Sequence, residues 1–404
     1  MLRKVSFCIL SAFLSALPYI NGNLWIFAWF GFVPLFFALK NQSKAKAFLL
    51  SYLTGVVFWL LTVYWLVHVT LLGTIVLILY LALYFGIFGL IIKTCEPRTT
   101  NHAPLFIASI WVILEYLRSH LLTGFPWALL AYSQYKNLPI IQIADITGVW
   151  GVSFVVMTVN EAIYVIARRE KPDACLPAGR KQFKKWDCFS SLAMTIILLL
   201  IVLIYGYYKL YRQPIADSRQ QVRISVIQGN IPQELKWDPY ARGFILNKYE
   251  QLTKKAASEN PDLIIWPEAS SPGLLGEDNS VFQEIFSFAR NIKTPLLIGT
   301  VSREGKEYFN SAILVNPSGE IAACYSKLHL VPFGEYIPLK KYLPFLETVV
   351  PIGDITAGKE YTIFKSSVVP CLPAGRSRQS SANFAVLICF EDLFPELSRE
   401  FVRR

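Results

Sequence analysis

The sequence predicts a multi-pass α-helical membrane bundle followed by an extramembrane α/β domain, on three observations. Of 404 residues, 54% are hydrophobic and only 17% charged, where a soluble chain carries about a quarter charged. Long apolar runs fill the chain from Met1 to Tyr211, whereas from Gln221 onward it alternates like a water-soluble domain. Lysine and arginine gather in short loops between the apolar runs. The expected units are therefore a transmembrane domain of about seven helices at 1–211 and an extramembrane α/β domain at 221–404.

A helix needs about 20 apolar residues to cross the hydrocarbon core. Seven stretches are candidates, at 6–20, 24–39, 47–69, 72–92, 104–117, 140–167 and 189–210. The first, second and fifth are short enough to be re-entrant or interfacial instead. The first also follows Arg3 and Lys4 as a signal peptide would, but no clear A-x-A site comes after it. Arg3 and Lys4 precede the first span, and Lys40, Lys44 and Lys46 follow the second. Lys93 and Arg98 follow the fourth, and seven Lys or Arg residues lie between Arg168 and Lys185 after the sixth. The other loops hold little beyond Lys136. Positive charge stays in the cytoplasm, so the N-terminus is expected inside and the C-terminal domain, after seven crossings, on the outer face. The outer loop 119–139 carries Gly124-Phe125-Pro126-Trp127, Tyr132 and Tyr135, which by physics alone reads as an interfacial aromatic belt.

A net charge of +11 raises nucleic acid as a partner, but membrane topology accounts for it, and none is expected. Seven cysteines without a C-x-x-C pair, and only His68, His102, His120 and His329, leave no metal-ligand spacing. Phosphate-binding glycine loops are also absent from the sequence, so neither metal nor cofactor is expected. The hexapeptide Cys-Leu-Pro-Ala-Gly-Arg occurs at 175–180 and again at 371–376. Its two contexts are unrelated, so both copies read as surface-loop insertions that brought Cys175 and Cys371 with them.

In the second domain, strands are predicted at 222–228, 263–266, 295–301, 311–316, 320–325, 361–365 and 383–388. Helices are predicted at 240–258 and 281–292, and another near Pro395. The alternation reads as a layered fold with a mixed sheet. Three apolar strands end on reactive groups: Glu268 after Leu-Ile-Ile-Trp-Pro, Lys327 after Ile-Ala-Ala-Cys-Tyr-Ser, and Cys389 after Ala-Val-Leu-Ile. Strand ends of such folds deliver side chains to one edge of the sheet. A thiol attacking a carbonyl needs a base, and with histidine scarce Glu268 is the carboxylate at hand. Lys327 is the cation suited to the oxyanion. A strand–Cys–helix order, with lysine near, would lower the thiol pKa. Singly, each residue is more often structural, and the case rests on the three together.

These residues resemble a known superfamily. Trp266-Pro267-Glu268, Tyr325-Ser326-Lys327 with Val331-Pro332-Phe333-Gly334-Glu335-Tyr336, and Ile388-Cys389-Phe390-Glu391-Asp392 are similar to the Glu-Lys-Cys motifs of carbon–nitrogen hydrolases (nitrilases), which use an αββα sandwich. In the membrane half, Glu115-Tyr116-Leu117-Arg118, Thr123-Gly124-Phe125-Pro126-Trp127 and Tyr132-Ser133-Gln134 resemble the apolipoprotein N-acyltransferase family, and this overrides the belt reading of 124–127. The resemblance implies that Cys389 takes an acyl chain from a membrane phospholipid as a thioester and passes it to the α-amine of a diacylglyceryl-cysteine apolipoprotein. It further implies supporting roles for Glu335, Phe390 and Glu391, and a role for Trp237 in substrate access. Phe390 departs from the tyrosine common in the family. The family's domain runs on past the last helix to more strands and a final membrane helix, so by resemblance the α/β domain is expected to be C-terminally truncated. Two rivals stay open: a membrane-tethered amidase with water as acceptor, and an inactive scaffold.

Overall fold

The computed structural model describes residues 1–68, 70–95, 103–168, 185–212, 222–332, 334–337, 355–366 and 382–404. Both hexapeptide copies and most of the loop after the sixth predicted span lie outside them. Two compact units divide the chain, Met1–Pro214 and Ile215–Arg404.

The first unit is helical. Its elements are α1 (Leu2–Ile20), α2 (Val33–Leu39), α3 (Lys44–Val63), α4 (Leu71–Cys95), α5 (Ala103–His120), α6 (Leu138–Ile141), α7 (Ala144–Ala167) and α8 (Lys185–Tyr211). Among the described residues, six stretches are long and apolar enough to cross a membrane: Leu2–Ile20, Gly22–Leu39, Lys44–His68, Leu71–Cys95, Ala144–Ala167 and Leu192–Tyr211. The predicted span at 104–117 is the helix α5, but it is not among the six, because Glu115 and Arg118 interrupt its apolar run. The predicted span at 140–167 divides into α6 and α7, and within α7 Gly148 takes a left-handed φ of 64°.

The second span is also broken, with a 3-10 turn at Gly22–Trp29 ahead of α2. Backbone groups freed by such a break need partners where water is absent. Asn160 of α7 supplies two: its Oδ1 accepts from Phe32 N at 2.9 Å, and its Nδ2 donates to Ala28 O at 2.8 Å. Ser11 of α1 supplies a third, donating to Gly31 O at 2.6 Å. Between α3 and α4 small residues let the backbones approach closely: a Cβ at Gly89 would stand 2.8 Å from Ala47 O. In the same core, Phe32, Phe85 and Phe88 pack around Trp111 at ring separations of 4.6 to 5.0 Å.

The second unit is a mixed sheet covered on both faces. Its strands are β1 (Ile224–Val226), β2 (Leu263–Ile265), β3 (Leu274–Leu275), β4 (Leu296–Glu304), β5 (Glu307–Val315) and β6 (Ile321–Ser326). They run in the order β1-β2-β4-β5-β6, with β3 paired to β4. The β1, β2 and β3 pairings are parallel and the β4–β5–β6 meander is antiparallel. Side chains alternate between faces as the pleat requires. Ile264, Leu296, Ile298 and Ile313 face α9 (Arg242–Ala257) and α10 (Asn279–Ile292). Leu263, Leu297, Ala312 and Leu314 face Ile388 and Phe401 of α11 (Pro395–Arg403). A separate two-stranded sheet pairs β7 (Phe364–Ser366) with β8 (Ala382–Phe384). The predicted strand at 383–388 is therefore corrected: only its start is β8, and among the described residues 385–388 pair with no strand on the way to Cys389.

Candidate active site

Glu268 follows β2 on a turn that the core holds in place. Trp266 stacks on Tyr249 of α9 at 4.9 Å and donates through Nε1 to Thr253 Oγ1 at 2.9 Å. Across the sheet, Gly299 of β4 leaves room for this turn, since a Cβ there would fall 2.6 Å from Glu268 Cα. The Gly299 carbonyl also accepts from Ser270 N at 2.9 Å. The Glu268 side chain keeps 37% exposure.

Lys327 closes β6 and is almost fully enclosed, with 1% of its side chain exposed. Its Nζ lies 2.9 Å from Glu335 Oε1 and 3.6 Å from Glu268 Oε1. A buried ammonium without carboxylate partners would be strongly disfavoured; here two share it. Glu335 is itself held, its Oε2 accepting from Val331 N at 2.8 Å.

Cys389 opens a 3-10 turn, Cys389–Leu393, with φ at 53°. Left-handed backbone is costly for a side-chain-bearing residue and gathers at functional sites. Glu391 holds the turn. Its Oε1 accepts from Tyr325 Oη, Leu328 N and His329 N at 2.7 to 3.0 Å, and its Oε2 from Ile388 N at 2.8 Å. One fully buried carboxylate thus joins the segment after Lys327 to the segment before Cys389.

The electrostatics around the thiol correct one expectation. Cys389 reaches solvent, yet the protein packed around it and the Glu268 carboxylate push its pKa up. Lys327 and the Phe390 N–H pull in the expected direction but do not prevail. No long helix starts at the cysteine, since α11 begins only at Pro395. A thiol held up in this way beside the Glu268 carboxylate is arranged for proton removal at the moment of attack.

The structure thus brings Glu268, Lys327, Cys389 and Glu335 together and ties Glu391 to them through the backbone. Phe390 is a core residue, 1% exposed and edge-on to Phe394 at 5.1 Å, where a missing tyrosine hydroxyl leaves only packing. Trp237 is not a member of the hydrogen-bonded cluster and is 53% exposed. A residue that sequence reasoning passed over is Asn310 of β5, whose Nδ2 donates to Glu268 Oε1 at 2.7 Å and to Glu335 Oε1 at 2.8 Å. The signal was present: an amide at the head of the apolar run Ala312–Val315, one residue before the predicted strand 311–316.

The 124–127 loop of the helical unit also has a definite place. Arg118 donates through Nη1 to Phe125 O and Trp127 O, both at 2.7 Å, and lies over the Trp59 ring at 4.9 Å. Glu115 Oε1 accepts from Leu130 N at 2.7 Å. Phe125 is buried and Trp127 half-buried, so the loop folds inward and is not a free aromatic belt.

Comparison with known proteins agrees with both units. Residues 11–162 match the model of the apolipoprotein N-acyltransferase N-terminal domain, and residues 223–404 match the carbon–nitrogen hydrolase model. The apolipoprotein N-acyltransferase of Geobacter metallireducens is 35% identical over 99% of this chain and 75% of its own length. Apolipoprotein N-acyltransferase 2 of Treponema denticola is 30% identical, over 90% of this chain and 70% of its own. A solved carbon–nitrogen hydrolase from Helicobacter pylori G27 covers 45% of this chain and 56% of its own, at 17% identity and a TM-score of 0.33. The chain belongs to the apolipoprotein N-acyltransferase family, and it is a bacterial membrane protein.

Proposed function

We propose that Cys389 carries the acyl group that this N-acyltransferase moves, from a membrane phospholipid to the N-terminal amine of a diacylated apolipoprotein. The observation that carries the reading is the meeting of Glu268, Lys327 and Glu335 beside a cysteine on a left-handed turn. In the first step Glu268 takes the thiol proton as sulfur attacks the ester carbonyl, and the Lys327 charge balances the oxyanion. Collapse breaks the ester C–O bond, and the Glu268 proton passes to the departing alkoxide, leaving a thioester and a lysophospholipid. In the second step the α-amine of a diacylglyceryl-cysteine attacks the thioester, Glu268 takes the amine proton, and the C–S bond breaks. The proton returns to sulfur and an amide is released.

The test is a chase. Purified chain given labelled phospholipid should form a hydroxylamine-sensitive acyl adduct that discharges onto a diacylglyceryl-cysteine peptide. Cys389→Ala should form none, and Cys324→Ala should form it normally. An adduct on Cys389→Ala would overturn the assignment, and discharge to water as fast as to the peptide would make the chain a hydrolase with water as acceptor and not a transferase.

The α/β unit is proposed to lie on the outer face. Positive charge places the N-terminus in the cytoplasm, so the parity of crossings decides, and α5 is the helix in question. At 18 residues it is about 27 Å long, close to the hydrocarbon thickness. Its Glu115 and Arg118 are buried in protein while Phe106, Ile113 and Leu117 are exposed, as for an intramembrane helix that keeps its charges off lipid. Counting α5 with the six other spans makes seven. A cysteine engineered into the 169–184 loop should resist a membrane-impermeant maleimide in intact spheroplasts, and one near Tyr240 should react. The opposite pattern would overturn the orientation.

A further inference from the structure

We infer that Asn310 is a positioning residue of the acyl-transfer site: a neutral clamp that holds the Glu268 and Glu335 carboxylates together on the single Lys327 ammonium. The inference rests on the reading of Glu268, Lys327 and Cys389 as the reactive groups. Glu268 Oε1 and Glu335 Oε1 share two donors. Lys327 Nζ stands 3.6 and 2.9 Å from them, and Asn310 Nδ2 stands 2.7 and 2.8 Å from them. The four atoms form a closed set in which two negative charges face one positive charge. Two carboxylates at such a separation repel, and one of them ordinarily keeps a proton or moves away. Either response takes from Glu268 its capacity to accept the thiol proton. An amide with two N–H donors counters the repulsion without adding charge to the cluster.

The orientation of the amide follows from the same contacts. Reversed, it would point its oxygen at two carboxylate oxygens, so the nitrogen must occupy this position. That choice leaves Asn310 Oδ1 buried and, among the described residues, without a hydrogen-bond partner. A position serving stability alone would be better filled by an apolar side chain of similar size, which leaves nothing unsatisfied. The backbone makes the clamp rigid. Asn310 pairs with Val301 on β4 and its carbonyl accepts from Lys327 N at 2.8 Å. It therefore sits on the strand between β4, which carries the Gly299 contact to the Glu268 turn, and β6, which ends just before Lys327.

Among the described residues, the charged and titratable groups facing Glu268 are Lys327 from just after β6, Glu335 from the following loop and Cys389 from its turn. With these unchanged, loss of the Asn310 donor leaves the repulsion between the two carboxylates uncompensated. The experiment measures the rate of acyl-adduct formation per folded full-length chain, from labelled phospholipid in mixed micelles, across acid to alkaline pH. In Asn310→Ala the acid limb should move to higher pH by about one unit, with about a tenfold slower rate on that limb. Asn310→Asp has the same shape, tolerates the fold if the alanine variant does not, and should shift further because it adds a third carboxylate. A purely structural role would lower the yield of folded chain and leave the pH midpoint unmoved, and that result in either variant would overturn the inference. A Cys389→Ala control separates this from the underlying reading. Adduct persisting there defeats the cysteine assignment, whereas Cys389-dependent adduct with an unmoved midpoint defeats Asn310 alone.

Discussion

Each unit buries a basic residue close to glutamate, and the two arrangements are used differently. In the helical unit Arg118 is 4% exposed and Glu115 2%, and both spend their hydrogen bonds on the backbone of one loop, at Phe125, Trp127 and Leu130. In the α/β unit Lys327 is as deeply buried but turns to side chains, Glu335 and a Glu268 that stays 37% exposed. A buried charge absorbed by main-chain groups fixes a conformation. One shared between carboxylates, with one carboxylate open beside a thiol, stays available for proton movement and for a developing negative charge. Burial of charge is common to both sites; the identity of the partners separates scaffold from chemistry.

Replacing the basic residue of each pair breaks the comparison most directly. Lys327→Met, of similar length and no charge, should lower the rate of adduct formation by about a thousandfold, the scale of removing an oxyanion-stabilising group, while folded chain still accumulates. Arg118→Met should do the reverse. It leaves a buried Glu115 and two loop carbonyls uncompensated, so stability should fall by about 3–5 kcal/mol, seen as a lower melting temperature in detergent. Whatever Arg118→Met chain stays folded should keep Cys389 reactive. A stable Arg118→Met chain with no activity would erase the distinction.

A smaller effect sharpens it. Burial and the Glu268 carboxylate hold the Cys389 thiol above its ordinary range, and Lys327 opposes them. Removing the negative neighbour must lower the thiol pKa, and removing the positive one must raise it further. Iodoacetamide should therefore alkylate Cys389 several-fold faster at neutral pH in Glu268→Gln and several-fold slower in Lys327→Met, although both lose acyl transfer. Equal alkylation rates would show that neither group is coupled to the sulfur. The smallest effect is expected at Trp237, which is 53% exposed. Trp237→Ala should leave stability within about 0.5 kcal/mol while raising the apparent KM for phospholipid. An unchanged KM would remove Trp237 from substrate access.

Elements written in a local pattern were legible in the sequence. Hydropathy located the spans from α1 to α4 because lipid demands an uninterrupted apolar run. The same signal weakened at α5, where Glu115 and Arg118 are satisfied by a loop that folds back onto them. In the α/β unit the apolar strands leading to Glu268 and Lys327 were readable from alternation. The short β3 (Leu274–Leu275) was not, since its pairing with β4 comes from a distant strand and not from its own two residues. The approach to Cys389 was misread as a sheet strand because a run of Ala-Val-Leu-Ile looks the same whether it joins a ladder or packs its side chains on the sheet's face.

By itself the sequence determined the membrane and α/β division, the reactive residue types and the motifs that mark the family, all of which depend on neighbours along the chain. Tertiary structure alone decided what those residues do to one another. The place of Asn310 between two carboxylates follows from pairing β5 with β4 and β6, while the Lys327–Glu335 distance and the Glu391 tie depend on how the loops after β6 and before Cys389 fold together. The direction of the Cys389 shift was likewise out of reach. It is the outcome of burial and Glu268 against Lys327 and a backbone N–H, and each of those contributions depends on distances that exist only once the chain has folded.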